Sequence, residues 1–433
     1  MDHARAVVAV LLSPQGRAAV AAGETGVLIR LMRQAIEWTQ QDLADQSGYS
    51  QSTISRLERG VSRAAQDTVI LADIANALGA PPAALLGVSS HLDQTPILDG
   101  VDRRDVFGGA AGLVMAVLLP RDIATPGRID AAQAAQCWTA LHRLEELDQC
   151  HGGAAVYQVA EAMAQRLQDA LRRGSYLPAV GRELQGVTAA TMEYAGWLAY
   201  DAGWQQKARH WWLETCHAAD LSGITDARVT ALASMSLQAS NTPGGGRETV
   251  GLVHAARTAA QEGQPPSPTL LSLLAAREAV GHAHIGDRAA TVSAISQARQ
   301  WLDHGRQGDE PFWLDFWGPA NLARHETRVA LATRNGKSAE LAARAALASS
   351  DADAFPRNHI AYTVGLASIL TQRGQLDEAI SVTSDAIHGI QEVQGSGRII
   401  ADLHRTLDLL GQQKYAPAKD FAGAARLLLP ASQ

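Results

Sequence analysis

The residues with the clearest potential for chemistry lie in one segment, QDLADQSGYSQSTISRLERG, at positions 41–60. If this segment forms two helices, Ala44 is small where the helices cross and Gly48 makes the turn between them. Ile54 and Leu57 then lie on the inner face of the second helix. The opposite face of that helix can contact base edges, because glutamine pairs with adenine and arginine with guanine. That face carries Gln51, Ser52, Ser55 and Arg56.

Short helices must position this segment, and the surrounding sequence predicts five of them between residues 26 and 87. Apolar residues recur at helical spacing over 27–37. Thr39 opens the second helix as an N-cap, with Asp42 in a capping-box position, and Ser50 caps the third helix. Glycines follow the predicted helices, where a left-handed residue costs little. The predicted helices span 27–37, the stretch from Thr39 to Gly48, 51–59, 68–78 and 81–86.

This block resembles the phage-repressor-like family of DNA-binding domains, often called XRE. In that family the third helix enters the major groove and its first residues contact bases. The resemblance therefore implies that Gln51, Ser52 and Arg56 read bases. Arg33 and Glu58 stand where the family often has an internal ion pair, which implies a structural role. Phosphate contacts are implied for Gln40, Ser50, Arg59 and Arg63, so the candidate DNA-contacting residues are Gln40, Ser50, Gln51, Ser52, Thr53, Ser55, Arg56, Arg59 and Arg63.

The charge of this segment limits its affinity for DNA. Residues 26–63 carry five arginines and four acidic residues, so the attraction to phosphates is weak. We therefore expect a homodimer that places two such modules on one double-stranded DNA site. Two other interpretations stay open at this point. The segment could be an ordinary helical hairpin, or a helix-turn-helix that has lost its affinity for DNA and serves only other contacts.

From residue 103 onward the sequence predicts helix after helix and no strand. Helical segments break and restart at Gly203, Gly244, Gly286, Gly336, Gly374 and Gly411. The successive separations are 41, 42, 50, 38 and 37 residues, which is typical of helical hairpins that stack into an α-solenoid. The stretches 191–218 and 362–390 match the tetratricopeptide pattern best. In the first stretch Gly196 is the small residue, Gly203 the turn and Trp212 the bulky residue of the second helix.

These patterns define the expected fold class and domain organisation. The fold is predicted to be all-α, with a five-helix repressor-like DNA-binding domain followed by a tetratricopeptide-like α-solenoid. The predicted domains are a helical extension at 1–25 with one helix over 5–22, the DNA-binding domain at 26–87, a polar linker at 88–102 and the repeats at 103–433. The layout, with an Arg-Arg-Asp motif at 103–105, is similar to that of a large group of actinobacterial regulators. This resemblance implies a role in transcription regulation.

Aromatic and acidic side chains within the repeats form the candidate ligand site. One group, on the predicted inner face of a repeat, comprises Glu193, Trp197, Tyr200 and Asp201, and a second group comprises Trp313 and Trp317. An acidic and aromatic surface of this kind predicts a peptide or an amine-bearing small molecule as the effector, because cations bind aromatic faces. The competing interpretation is that these tryptophans belong to the hydrophobic core.

Composition and motifs argue against other classes of function. The 433 residues are 46% hydrophobic and 19% charged, with a net charge of −7, which fits a globular protein and not a disordered one. The sequence has no recognisable catalytic motif, phosphate-binding loop or metal-ligand spacing, so we expect no enzyme activity, no cofactor and no metal. The alternative to a regulator is a protein-interaction scaffold whose helix-turn-helix only docks.

The expected location is the cytoplasm, in association with the nucleoid. Cys137, Cys150 and Cys216 suggest no disulfide framework, and the N-terminus lacks the shape of a secretory signal. The apolar segment 106–119 has 14 residues, too few for the ~30 Å hydrocarbon core of a bilayer. We therefore expect no membrane partner.

Overall fold

The computed structural model describes residues 3–22, 24–60, 68–80, 85, 128–151, 153–262, 265–307, 310, 312–352, 354–392 and 396–429. The chain is all-α in class, as its sequence predicts. It divides into two compact units, Met1–His151 with Ala155–Thr191 and Gly152–Ala154 with Met192–Gln433. No helix in the described ranges is both long and apolar enough to cross a membrane. The predicted linker, the Arg-Arg-Asp motif and the apolar segment 106–119 lie outside the described residues.

Short helices build the N-terminal part of the first unit. They are α1 His3–Leu12, α2 Pro14–Ala22, α3 Thr25–Ala35, α4 Gln40–Ser47, α5 Gln51–Glu58 and α6 Thr68–Ala77. α3 packs on α5, and α4 packs on both α5 and α6. Their core contains the fully buried side chains of Leu28, Ile29, Met32, Leu43, Ile54 and Leu57. Four of the five predicted helices are confirmed with small shifts at their ends, and the fifth, at 81–86, lies outside the described residues apart from Leu85.

The N-terminal extension is packed onto these helices. The prediction of a single helix over 5–22 is wrong, because α1 ends at Leu12 and α2 begins at Pro14. Between them, Ser13 Oγ accepts a hydrogen bond from the Gly16 amide at 2.9 Å. Val7, Val8 and Leu11 are buried, and both α1 and α2 pack against α3. The apolar face of α1 is therefore used to support α3.

The remainder of the first unit contains a short parallel strand pair. β1 Arg128–Ile129 pairs with β2 Ser175–Tyr176. Between the strands lie α7 Ala131–His151 and α8 Gly153–Arg173, and α9 Pro178–Asp201 follows them. The expectation of no strand is wrong for these four residues. Strands of two residues are too short to leave an alternating pattern in the sequence, although the burial of Ile129 anchors the first of them.

The helices described in the second unit form consecutive helical hairpins, and a short turn joins the two helices of each hairpin. Together with α9 they are α10 Gln205–Ser222, α11 Thr225–Ser240, α12 Gly246–Glu262, α13 Pro268–Ile285, α14 Arg288–Asp303, α15 Pro319–Ala332, α16 Gly336–Ala348, α17 Pro356–Gln372, α18 Leu376–Glu392, α19 Gly397–Gly411 and α20 Ala416–Arg426. Each predicted glycine break falls in the turn within a pair or at the helix end beside that turn, from α9/α10 through α19/α20. Gly203, Gly286 and Gly374 take the left-handed conformation there, so the predicted breaks are confirmed.

The array of hairpins winds back on itself. Ser396, just before α19, donates a hydrogen bond to Asp201 Oδ1 at 2.9 Å, although 195 residues separate the two. Arg357 on α17 reaches the other oxygen of Asp201 at 3.0 Å. Gly397 lies so close to Ala202 that a Cβ atom there would stand 2.5 Å from the Ala202 carbonyl oxygen. The first, fifth and sixth hairpins therefore meet at Asp201.

Gly196 provides a direct test of packing within the first hairpin. A Cβ atom at this position would lie 2.5 Å from Nε1 of the fully buried Trp212. Gly196→Ala is therefore expected to destabilise the chain by roughly 1–3 kcal/mol through overpacking. The matched control is Gly365→Ala, at an exposed position within α17 where a Cβ atom meets nothing within 4 Å; we expect it to be neutral or stabilising. Urea unfolding measures both, and equal midpoints would contradict the prediction.

Candidate functional site

The candidate site is built on α4, α5 and the turn that joins them. Thr39 Oγ1 accepts a hydrogen bond from the Asp42 amide at 3.1 Å, while Asp42 Oδ2 accepts one from the Thr39 amide at 2.7 Å. The hydrogen bonds that the Asp42 carboxylate accepts from the Thr39 amide and, at 2.7 Å, from the Thr39 hydroxyl lower the pKa of Asp42. Gly48 ends α4 with φ of 77°, and Ser50 Oγ accepts the Thr53 amide at 3.2 Å to begin α5. The predicted capping box, turn and cap are all confirmed.

A buried ion pair fixes the position of α5 relative to α3. Arg33 donates to both carboxylate oxygens of Glu58, from Nε at 2.6 Å and from Nη2 at 3.0 Å. Its Nη1 also donates to the carbonyl oxygen of Trp38 at 2.6 Å. Both partners are less than a tenth exposed. The structural role expected for this pair is therefore confirmed.

The ion pair continues outward as a chain of side-chain hydrogen bonds. Gln40 Nε2 donates to Glu58 Oε2 at 2.8 Å, and Gln51 Nε2 donates to Gln40 Oε1 at 2.9 Å. Gln51 is exposed at the first position of α5, while Gln40 is half-buried. Gln40 thus orients Gln51, a function that the sequence reasoning did not assign to it. The sequence alone gave little indication of this function, because 18 residues separate Gln40 from Glu58 and only the folded hairpin brings the two side chains into contact.

The rest of the predicted DNA-contacting set surrounds Gln51. Ser52, Arg56 and Arg59 are exposed, whereas Thr53 and Ser55 are half-buried. Arg56 Nε donates to the Ser52 carbonyl oxygen, and Arg59 Nε to that of Ser55, each at 3.1 Å. These contacts hold both arginine stems along the helix.

Two further members of the predicted set complete this description. The hydroxyl of Ser50 lies 2.9 Å from that of Ser52 and 2.9 Å from that of Thr53, so the start of α5 carries a cluster of hydroxyl groups. Such groups can contact phosphate oxygens. Arg63 lies outside the described residues.

The first of the two predicted ligand groups lies at the end of α9 and is already engaged by protein groups. Ser234 donates to Glu193 Oε1 at 2.8 Å, and Asn241 donates to the hydroxyl of Tyr200 at 2.6 Å. Trp197 is half-buried, with its ring centroid 5.7 Å from that of Tyr200. The predicted acidic surface is wrong for Asp201, which is 2% exposed and is neutralised by arginines.

The second predicted ligand group lies in a hydrophobic core cluster. Trp317 is buried and donates from Nε1 to Ser272 Oγ at 3.1 Å. Trp313 packs against the same cluster, which includes Leu273 and Leu314. This placement agrees with the competing interpretation, in which these two tryptophans belong to the core.

The sequence reasoning missed the basic side chains of the repeats. Arginines occur on the first helix of each hairpin from the third to the sixth, at Arg277, Arg324, Arg328, Arg357 and Arg398. Their recurrence on corresponding helices was the signal that could have found them. In the ranges that the structure describes, no group of three histidine, cysteine or acidic side chains is arranged to hold a metal ion.

Comparison with known protein families supports the assignment of the N-terminal site. Residues 29–85 match a family model described as "Helix-turn-helix". The match includes α4, α5 and α6 and most of α3, and it supports a DNA-binding regulator. No curated protein matches this chain.

Two solved structures are similar to this chain at low sequence identity. One is a Signal Transduction ATPase with Numerous Domains (STAND) protein with a tetratricopeptide repeat sensor from Pyrococcus horikoshii, with 10% identity and a TM-score of 0.38. The similarity covers 93% of this chain, and this chain spans 64% of the length of that one. The other is a circular tandem repeat protein with novel repeat topology, with 14% identity, coverage of 98% and 95%, and a TM-score of 0.24.

Proposed function

We propose that this protein is a sequence-specific transcriptional regulator without enzyme activity, which acts on double-stranded DNA in the cytoplasm. The observation that carries the proposal is the hydrogen-bond chain from the buried Arg33–Glu58 pair through Gln40 to Gln51. It fixes an exposed glutamine at the start of the second helix of a matched helix-turn-helix. A preorganised polar side chain at this point suits base reading in the major groove.

In this proposal the exposed side chains of α5 divide the work of DNA binding. Gln51 contacts adenine and Arg56 contacts guanine, each through paired hydrogen bonds. Ser52 and Ser55 contact neighbouring base edges. Phosphate oxygens are bound by the hydroxyls at the start of α5 and by Arg59, and these contacts hold the helix in register.

The regulator is further proposed to bind its operator as a homodimer. Five arginines against four acidic residues in 26–63 give one module too little attraction for phosphates. Two modules about one helical turn apart would double the number of contacts on a two-fold symmetric site. Light scattering of the full chain on its operator measures this stoichiometry, and a strict monomer on DNA would contradict it.

The second unit is proposed to sense a small molecule, a peptide or a partner protein. An effector changes DNA binding only if its affinity differs between the two states of the protein. The second unit holds a buried charged side chain that has no ion-pair partner among the described residues, Arg277 on α13, which is 5% exposed. Burial of such groups opposes folding, which favours a functional reason for their presence.

Arg56→Ala tests the proposed base reading. We expect binding to the preferred duplex to weaken roughly 5- to 150-fold, since a bidentate arginine contact contributes ~1–3 kcal/mol of discrimination. On random duplexes of equal length the loss should stay within about threefold, because only the charge is lost. Dissociation constants from gel-shift titrations at fixed salt provide the comparison, after selection of the preferred duplex from a random library with the full chain.

Arg30→Ala is the matched control, since Arg30 is an exposed arginine of the same unit on α3. It should weaken binding to both kinds of duplex equally and slightly. Equal losses for Arg56→Ala on both duplexes would reduce Arg56 to a phosphate contact. A wild-type protein without any sequence preference would favour the scaffold alternative.

A further inference from the structure

Four arginines approach one another inside the repeat array, and we call them the arginine cluster: Arg277 on α13, Arg324 and Arg328 on α15, and Arg398 on α19. Arg324, Arg328 and Arg398 lie close enough to repel one another, and Arg277 and Arg328 do so as well. The winding of the array brings these helices together. Arg328 Nη2 also donates to Ser240 Oγ at the end of α11, 88 residues away, at 2.9 Å. The cluster is therefore a feature of the folded array.

The positive charge of this cluster is not balanced locally. No ion pair joins Arg277, Arg324 or Arg328 to a carboxylate within the described parts of the chain. Arg344 on α16, the second helix of the fourth hairpin, differs, since it pairs with both Glu340 and Glu378. Of the acids near the cluster, Asp201 pairs with Arg398 and also with Arg357, which lies outside the cluster.

The remaining nearby acids leave the excess of positive charge in place. Glu193 attracts Arg277, and Asp402 attracts Arg324, Arg328 and Arg398 while it also pairs with Arg405. Together with Asp201 these carboxylates supply three negative charges, fewer than the positive charges of the cluster, Arg357 and Arg405. Burial, together with nearby arginines, lowers the pKa of both Arg277 and Arg328 to about 10. The protonated forms of these side chains are thus destabilised by their surroundings, and a bound anion would relieve this.

Unused hydrogen-bonding atoms accompany the unbalanced charge. Nε of Arg277, Nε of Arg398 and the hydroxyl of Tyr362 are buried without a hydrogen-bond partner among the residues described. Tyr362 is 4% exposed, and the guanidinium of Arg324 lies 5.8 Å from its ring centroid. Buried donors of this kind normally have a partner. Their presence beside the cluster points to a ligand that supplies oxygen acceptors.

The cluster is accessible to a small solute. Arg324 and Arg328 are half-buried and keep part of their surface exposed, while Arg277 is 5% exposed. Guanidinium groups bind phosphate and carboxylate oxygens through pairs of parallel hydrogen bonds. A compact ligand with several oxygens could therefore contact more than one hairpin at once.

We propose that the arginine cluster binds a small multivalent oxyanion, either a phosphate-bearing compound or a polycarboxylate. The ligand bridges α13, α15 and α19, and so links the third, fourth and sixth hairpins. The inference replaces the cationic effector expected from the sequence with an anionic one. The proposed anion is the ligand class for the sensing role proposed above. Anion binding is tested without DNA, so that the anion site and the sensing role can fail separately.

Arg324 is the best position for the test. No hydrogen bond of its side chain is found within the described residues, so its substitution removes the charge and the contact with the Tyr362 ring but breaks no hydrogen bond there. Arg324→Gln is expected to weaken anion binding by about 10- to 100-fold, the usual effect of losing a charged hydrogen bond. Arg324→Lys keeps the charge and should bind within about threefold to tenfold of the wild type, since it loses only the fork geometry.

Isothermal titration calorimetry of the full chain would use pyrophosphate and citrate as probes, at constant ionic strength. Thermal unfolding with each probe gives a second measurement, since a ligand of the folded state raises Tm. Arg344→Gln is the matched control at an exposed position on α16, and Arg56→Gln controls for anion binding at the DNA-binding helix. Both controls should bind like the wild type, and circular dichroism confirms folding of each variant.

Each outcome is decisive for the proposed site. Binding of pyrophosphate alone identifies a phosphate ligand, and binding of citrate alone identifies a polycarboxylate. The proposal is overturned if the wild type binds neither probe, or if Arg324→Gln folds and binds both as tightly as the wild type. A loss of anion binding in Arg56→Gln would also overturn it, by placing the anion on the DNA-binding helix. Wild-type anion binding with unchanged operator affinity would keep the site and refute only the sensing role.

Discussion

Asp201→Asn is expected to destabilise the second unit by about 3–5 kcal/mol, the usual cost of removing one partner from a buried ion pair. The Asp201 carboxylate accepts hydrogen bonds from Arg357 at 3.0 Å, Arg398 at 3.3 Å and Ser396 at 2.9 Å. It is 2% exposed and Arg357 is 8% exposed. An asparagine of the same size would remove the negative charge that both guanidinium groups share, at the point where three hairpins meet.

The pH dependence of stability gives an independent check on this carboxylate. Burial raises the pKa of Asp201, but Arg357 and Arg398, together with the hydrogen bonds from Ser396 and the Gly153 amide, lower it by more, so that the folded value lies below the ordinary 3.8. The unfolded chain therefore takes up the proton more readily. The stabilisation is present above the unfolded pKa of about 3.9 and is lost as the pH falls through the lower pKa of the folded state. The difference between wild type and Asp201→Asn should narrow below about pH 4.

Urea unfolding at pH 7 and at lower pH measures both effects, and hydrogen exchange of α9 and α19 locates them. Asp408→Asn is the matched control, because Asp408 pairs with Arg426 at the surface and its side chain is 61% exposed. Its substitution should change stability by no more than about 1 kcal/mol. An Asp201→Asn protein with the wild-type midpoint at pH 7 would show that the buried pair contributes nothing.

Features set by local sequence were predictable. Thr39, Asp42, Gly48 and Ser50 act through hydrogen bonds and dihedral angles within a few residues, so their types and spacing were sufficient to place α4 and α5. The glycine breaks of the repeats are also set locally, since a turn that needs a positive φ favours glycine at that one position. The pairing of Arg33 with Glu58 needed the family resemblance as well, because 25 residues separate them.

Features set by winding of the array were not predictable. Asp201 was assigned to a ligand surface because its helix position is compatible with one, yet its partners lie 156 to 197 residues further along the chain. No repeat period in the sequence indicates a contact between residues so far apart along the chain. Trp317 shows a second limit, because a tryptophan at helical spacing suits a core and a binding surface equally well, and only packing against Ser272 and its neighbours decides between them.

Glu58→Gln should have two effects, because Glu58 supports both the fold and the candidate reading face. Removal of its charge leaves Arg33, which is 9% exposed, without a counter-charge, and we expect a loss of about 3–5 kcal/mol in the stability of the first unit. Gln40 also loses a charged acceptor, which loosens Gln51. Asp45→Asn, at an exposed position on α4, is the control, and its effect should stay within about 0.5 kcal/mol.

The double substitution Arg33→Met with Glu58→Leu separates the two effects. Replacement of a buried pair by apolar residues of similar volume is often neutral or stabilising, so folding should recover, as thermal unfolding and hydrogen exchange of α3 and α5 will report. DNA discrimination should not recover, since Gln40 no longer has an acceptor at position 58 and Gln51 is no longer held. If the double variant discriminates its operator from random duplexes as well as the wild type, the pair only stabilises the fold. If it folds but does not discriminate, the polar chain from the core to Gln51 is required for reading.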